Sequence, residues 1–413
     1  MALSDYDVII VGGGAAGIGA ARRLHAADVS CLIVEARDRL GGRGWTTSVA
    51  PGYALDLGCG WLHSADRNPF VAIAEAQGRR IDRSPPPWSK PSLPYGFPPD
   101  EQDEFHDATG QFFAEIDNAA GKPDRPASDL LPAGGRWNAL VNALNTYISG
   151  AELERLSLED LANYAGNDVN WRVVEGYGAT IAAHGAGVPL ALGSPVLSVD
   201  HSGHKIAVET AKGRLTAAQV IVTLPTSLLA GEAIRFTPAL PDKIEAAHGL
   251  PLGLADKLFL ALDKAEEFEP DCSLFGAIDR TATAAYQFRP FGRPMIEAYF
   301  GGALAADLEN GGDAAFVDFA TAELVGRLGS DFAKRVKPIT LHRWGADPLA
   351  RGSYSFALPG QAACRQQLAS PVDERLFFAG EACSKHDFST AHGALETGIA
   401  AADKVLAARR LFV

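Results

Sequence analysis

A chain of 413 residues, 47% hydrophobic and 21% charged, with a mean hydropathy near zero, has the composition of a folded core rather than of a disordered chain. Its 37 basic and 50 acidic residues give a net charge of −13, which argues against a nucleic-acid surface and leaves cationic ligands open. The five cysteines are scattered and form no CxxC, so neither a disulfide framework nor a zinc site is expected, and a cytoplasmic setting fits.

The stretch from Tyr6 to Arg43 carries the strongest signal. A hydrophobic strand, Asp7 to Val11, meets Gly12, Gly14 and Gly17 at the spacing of a dinucleotide-binding turn. A helical run from Ala15 to Ala27 follows, then a short strand, Ser30 to Val34, that ends on Glu35. Gly12 allows the tight turn, Gly14 lets backbone approach a pyrophosphate at the helix start, and Gly17 lets helix pack on strand. Glu35 can accept both hydroxyl hydrogens of an adenosine ribose. The N-terminus enters the first strand too soon for a secretion signal, and the apolar run from Val8 to Ala21 is too short for a membrane span.

A second glycine turn, Arg39 to Arg43, suits a diphosphate because backbone approach and guanidinium charge can act together there; Arg43 is the expected contact. Gly58, Gly60 and Trp61 resemble backbone and an indole wall set against a flat ring system. Seven prolines between Ser84 and Asp100 forbid helix or central strand and predict a rigid covering loop. Helices are predicted over 103–120, 137–148 and 157–165, the last with Ser157 as N-cap. Strands are predicted over 195–200, 205–210 and 219–223; His201 and His204 flank one turn there, without a third ligand that would make a metal site. Lys257 opens an apolar strand, 258–262, and Glu266, Glu267, Glu269 and Asp271 suggest a solvated acidic loop. An amphipathic helix is predicted over 314–328. Near the end, Gly380-Glu381 follows a hydrophobic strand, and a helix starting at Ser389 continues to about Ala408, which brings a carboxylate and helix amides to one ligand.

Taken together, the Rossmann start with Glu35, Arg39 to Arg43, Asp56 to His63, Pro251 to Lys257, Trp344 to Tyr354 and Gly380 to Ala394 resemble the flavin-dependent amine oxidases, the family of monoamine oxidases, polyamine oxidases and histone lysine demethylases, in a bacterial-type form. The resemblance implies an α/β fold: a discontinuous Rossmann-type FAD-binding domain (1–68, 173–243, 349–413) carrying an inserted α+β substrate domain (69–172, 244–348). It implies FAD held by Gly12, Gly14, Ala16, Gly17, Glu35, Ala36, Arg37, Gly42, Arg43, Gly58, Gly60, Trp61, Val196, Gly380, Glu381, Ser389, Thr390 and Ala391. It also implies catalytic roles for Lys257, Trp344, Tyr354 and Thr390, with Lys257 holding a water beside the flavin.

The reaction implied is hydride loss from the carbon next to an amine nitrogen, with dioxygen as the final acceptor and hydrogen peroxide as a product. The expected partners are a small-molecule amine and dioxygen, with no nucleic acid, membrane or metal, and a homodimer stays open. Two departures from the family pattern matter. Ser353 stands where monoamine oxidases have the cysteine that anchors flavin, so non-covalent FAD is expected. Thr390 stands where they have a second aromatic wall, which moves the resemblance toward the polyamine and lysine demethylase branch. An L-amino-acid oxidase on the same scaffold, with Arg289 or Arg172 facing the flavin, and a carotenoid-type desaturase are the rival enzymes. A flavin-binding protein without turnover is a third reading.

Overall fold

The alternation of buried strand and Ala/Gly-rich helix at the N-terminus builds the centre of an eight-stranded sheet in the computed structural model, which describes residues 4–49 and 52–410. Strand β1 (Ser4–Val11) leads through helix α1 (Ala15–His25) to β2 (Cys31–Val34), parallel to β1 in the register Val8↔Cys31 to Val11↔Val34. On the other side of β1 lies β3 (Gly213–Val222), also parallel. Beyond β3 come the antiparallel strands Ile206–Thr210 and Val196–Asp200 and then Arg235–Thr237, while Leu190–Ala191 closes the opposite edge. These strands follow the predicted ones closely.

A second sheet has five antiparallel strands. In it β4 (Ala255–Leu262) lies between the central strand β5 (Met295–Gly301) and the edge strand β6 (Val336–His342), with Ala285–Phe288 and Cys272–Phe275 beyond β5. Leu258, Leu260 and Leu262 point into one core with Ile296, Ala298 and Phe316, so Lys257 and Phe259 must face the other way. The chain then returns to the large sheet. There β7 (Leu376–Phe378) pairs with the end of β3, and α2 (Ala391–Arg410) crosses α1. The crossing is close because it is made by glycines: a Cβ on Gly398 would lie 2.0 Å from the Ala16 carbonyl oxygen, and one on Gly19 2.7 Å from that of Leu395.

The predicted helices at 103–120, 137–148, 157–165 and 314–328 form as Pro99–Asn118, Asn138–Ser149, Leu158–Asn163 and Asp313–Leu328. Ser157 caps its helix as expected, accepting from the Asp160 amide at 3.0 Å. The proline stretch holds one short 3-10 helix, Pro87–Ser89, and a turn at Tyr95 and Gly96 before Pro99 begins a helix at the position where its missing N–H costs nothing. The helix Pro241–Gly249 packs Ala246 and Ala247 against the core of the large sheet, so the chain stays there through Leu250, a few residues past the expected crossing at 244.

Candidate active site

The two glycine turns stack on each other. The Gly41 amide donates to the Gly13 carbonyl at 2.8 Å, and a Cβ on Gly42, at φ +58°, would lie 3.3 Å from Gly14 Cα. The Glu35 carboxylate sits beside them, accepting the Gly13 amide at 2.6 Å and the Arg37 amide at 2.7 Å. The Arg37 side chain turns away to pair with Asp347 at 2.9 Å, leaving only its backbone at the turn. Val196 lies on a strand edge reached from Glu35 through Ser194, whose amide donates to the Glu35 carbonyl at 2.8 Å.

Gly17 and Gly58 are packing glycines: a Cβ would lie 1.9 Å from the Gly12 carbonyl oxygen in one case and 1.8 Å from that of Arg43 in the other. Gly14 differs from both. No side chain caps the start of α1, and a Cβ on Gly14 would meet nothing within 4 Å. Gly380, at φ +144°, faces open space in the same way. Beside Gly380 lies a cleft of about 310 Å³ lined by Arg43, Thr223, Pro225, Gly380 and Glu381 at the carboxyl ends of β3 and β7, the usual ligand crevice of a parallel sheet.

At that crevice Arg43 donates to Glu381 at 3.0 Å and to the Ser353 carbonyl at 2.7 Å. Glu381 also accepts the Ser355 hydroxyl at 2.6 Å and the Ser389 amide at 3.1 Å. Burial works against its charge, but Arg43, the Ser355 hydroxyl and Arg365 outweigh it and hold the carboxyl below its ordinary value. Ser389 is left-handed, at φ +62°, and its hydroxyl donates to the Ser355 carbonyl at 2.6 Å, so the turn before α2 is fixed from both sides. Thr390 faces inward: its hydroxyl donates to the Asp387 carbonyl at 2.6 Å and accepts the Gly393 amide at 3.0 Å. It closes the helix start and offers no wall.

A second cleft, about 430 Å³, is lined by Asp56, Gly60, Trp61, Lys257, Arg293 and Glu297. Lys257, at the head of its apolar strand, is 5% exposed. Its ammonium binds Glu297 at 3.0 Å and the Asp56 carbonyl at 3.2 Å, with the Tyr299 ring 5.6 Å away. Burial opposes the charge, yet Glu297, Tyr299 and Asp56 prevail and hold its pKa above the ordinary lysine value. A Cβ on Gly60 would come to 3.1 Å from this ammonium, so Gly60 makes room for the lysine. Tyr354 lies next to Tyr299 and donates its hydroxyl to the Tyr147 carbonyl; burial pushes its pKa up.

Trp344 does not face the second cleft. It is 2% exposed, donates its indole N–H to the Leu57 carbonyl at 3.0 Å and lies under Gly58, which fixes the loop above it. Asp271 corrects the expectation of a solvated acidic loop, because it binds Arg172 at 2.7 Å and Gln287 at 2.7 Å. The sequence reading also missed the buried pair Arg365–Asp160, at 2.6 and 2.7 Å, which ties the helix Leu158–Asn163 to Ser355. An ion pair 205 residues apart leaves no local pattern. His201 binds the Pro238 carbonyl at 2.9 Å, and among the described residues no cluster of metal-ligating side chains occurs.

The sequence profile described as flavin containing amine oxidoreductase matches residues 15–160 and 127–406, most of the chain. The chain belongs to the flavin-containing amine oxidoreductases. Similar members include polyamine oxidase 2 of Arabidopsis thaliana, 28% identical over 96% of this chain and 87% of that protein. Lysine-specific histone demethylase 2 of Homo sapiens is 25% identical over 98% of this chain and 54% of its own length. The fold matches wild-type putrescine oxidase bound to putrescine, with a TM-score of 0.78 at 18% identity, covering 98% of this chain and all of the other. As a flavin-containing amine oxidoreductase this chain is an FAD-dependent enzyme acting on amines. The uncapped start of α1, the open face of Gly14 and the anion-binding Arg43 fit the diphosphate of such a cofactor. No helix among the described residues is long and apolar enough to cross a membrane.

Proposed function

We propose that the chain is an oxidase of di- or polyamines that uses non-covalent FAD and dioxygen and releases hydrogen peroxide. The amine loses two electrons and two protons to become an imine, dioxygen gains them, and water then splits the imine into a carbonyl compound and an amine or ammonia. The observation that carries the reading is Lys257, buried and charged beside Gly60 in the lining of the second cleft. FAD, when bound, supplies the hydride acceptor.

The remaining steps fall to side chains of the chain itself. Lys257 spends two of its three N–H donors on Glu297 and Asp56, and the third is available to hold a water. The amine must react neutral, although an alkylamine has a pKa of about 10 and only ~1 in 1000 is neutral near pH 7. The burial that raises Tyr354 and Tyr299 and lowers His63 also disfavours an ammonium, which offsets part of that cost. Glu35 would hold the adenosine ribose, Val196 the adenine, Arg43 the diphosphate and Glu381 the ribityl chain, and the Ser389 to Ala391 turn would present amides to the electron-accepting end. Thr390 and Trp344 position this frame without touching substrate.

The same proposal divides the chain into a cofactor domain and an inserted substrate domain, with crossings near 69, 173, 250 and 349. Five cysteines without a disulfide among the described residues support a reducing, cytoplasmic setting. The amino-acid oxidase reading loses its arginines. Arg172 is held by Asp82 at 2.6 Å and Asp271 at 2.7 Å, and Arg289 donates to the Phe268 carbonyl at 2.7 Å. The deciding experiment is an absorbance spectrum of the purified protein followed by a peroxide-coupled panel of monoamines, diamines, polyamines and amino acids. A yellow protein that is bleached by diamines and polyamines is the expected outcome; one bleached by amino acids alone would overturn the substrate class.

A further inference from the structure

The six tryptophans of the chain divide unevenly. Trp45, Trp61, Trp137 and Trp171 each carry an arginine over the ring, from Arg39, Arg172, Arg136 and Arg83, at 4.5, 4.9, 4.6 and 4.8 Å. Trp344 is buried with its N–H bonded. Trp88 alone, among the described residues, has neither a cation over its ring nor a hydrogen bond, and it is 55% exposed. Its ring stands 4.4 Å from that of Trp61, edge to face, and Trp61 lines the cleft that contains Lys257. Trp88 therefore packs against a residue that lines that cleft.

Its position is not the accident of a loose loop. Pro86 and Pro87 are buried, the Pro86 carbonyl accepts both the amide and the hydroxyl of Ser89, at 3.0 and 2.8 Å, and the Pro87 carbonyl accepts the Lys90 amide at 3.2 Å. Farther on, the Leu93 amide and the Ser92 hydroxyl donate to the Ser273 carbonyl at 2.8 and 3.0 Å, and Gln102 clasps Ser92 from both sides. A proline-stiffened segment pinned at both ends presents the indole with little entropy left to lose. Arg172, which lies over the Trp61 ring at 4.9 Å, is itself held between Asp82 and Asp271 at 2.6 and 2.7 Å, so its charge is already paired.

We propose that Trp88 is a seat for the second, unreacting cationic nitrogen of a diamine or polyamine, held over the open indole face by cation–π attraction. This rests on the amine-oxidising reading of the adjoining cleft and gives the proline segment a task. An exposed seat of this kind changes affinity about 2- to 5-fold.

The test uses probes that bind but cannot react: bis-trimethylammonium alkanes in a ladder of lengths, and the matching alkyltrimethylammonium ions, whose quaternary nitrogens have no lone pair. Affinities for the FAD-loaded enzyme are measured by titration calorimetry. Wild type should prefer the longer bis-cations over the mono-cations, Trp88→Leu should lose about 2- to 5-fold of that preference, and Trp88→Phe should keep most of it. An unchanged preference in Trp88→Leu, or equal weakening of mono- and bis-cations, would overturn the seat. With diamine substrates, Trp88→Leu should raise KM and leave kcat alone. If wild type oxidises no amine while the Trp88-dependent preference persists, the seat stands and the proposed reaction falls.

Discussion

Arg43 and Glu381 are 338 residues apart in sequence and 3.0 Å apart in the fold. They join the first glycine turns to the strand end of β7, and their contact links two halves of the crevice that neither sequence segment could make alone. Arg43 is held by the second turn, whose Gly41 amide is bonded to the first. Glu381 is held by Ser355 and Ser389. The pair thus couples the second glycine turn to the start of α2.

Replacing Glu381 with Gln tests this coupling. The neutral amide leaves Arg43 in a largely buried site without its counter-charge, a change that typically costs about 3 kcal/mol. A carboxyl held below its ordinary value stabilises the fold above about pH 4.5, and that contribution is lost as pH falls through the lowered folded value. Wild type should therefore lose thermal stability on acidification below that point, and E381Q should lose less over the same range. Equal acid sensitivity in the two proteins, followed by thermal melts, would remove Glu381 from the account.

Gly14 and Gly17 separate cofactor binding from folding. A Cβ at Gly17 collides with the Gly12 carbonyl at 1.9 Å, whereas one at Gly14 meets no protein atom within 4 Å. Gly17→Ala should destabilise the cofactor-free protein by about 1 to 3 kcal/mol or more. Gly14→Ala should leave that melt within about 1 kcal/mol of wild type and weaken FAD binding measured by fluorescence titration. If both variants melt alike without cofactor, the open face of Gly14 is not where the ligand approaches.

What the sequence reveals depends on how local the cause is. The glycine turn, Glu35, the alternating strands and the Ser157 cap are readable because each effect acts within a few residues. Lys257 is harder. Its strand is visible, but its burial is set by Glu297 across β5 and by Asp56 some 200 residues earlier. Trp344 and Thr390 carry family motif positions, yet their side chains face a carbonyl under a loop and a helix start. Arg365–Asp160 leaves no trace in composition or spacing. The second sheet is hard to see in the sequence because strands such as Ala255–Leu262 and Met295–Gly301 are buried along almost their whole length and so alternate weakly.

Ser353 gives a chemical test. Its hydroxyl donates to the Ala255 carbonyl at 2.8 Å and accepts the Ala255 amide at 2.9 Å, so the side chain is turned into the edge of β4. All flavin should appear in the supernatant after acid precipitation, and Ser353→Cys should release it as fully as wild type, because the thiol inherits that inward direction. Flavin retained in the wild-type pellet would overturn non-covalent binding.

Lys257 offers the sharpest test of the reaction. Glu297, Tyr299 and Asp56 keep its ammonium charged to a pH above the ordinary lysine range, so it should not titrate while the substrate amine does. The value of kcat/KM should rise with pH up to the substrate's own pKa of about 10 and move down with amines of lower pKa. Lys257→Met removes the donor that would hold water at the cleft. In stopped flow it should leave anaerobic bleaching by substrate nearly unchanged and slow the return of yellow colour with oxygen by about 100-fold. Glu297→Gln should lower the lysine's pKa and add an alkaline decline to the oxygen-dependent rate that wild type lacks. If Lys257→Met recovers its colour as fast as wild type, the lysine is a structural ion-pair partner of Glu297 and the water it was assigned has no part in the oxidative half.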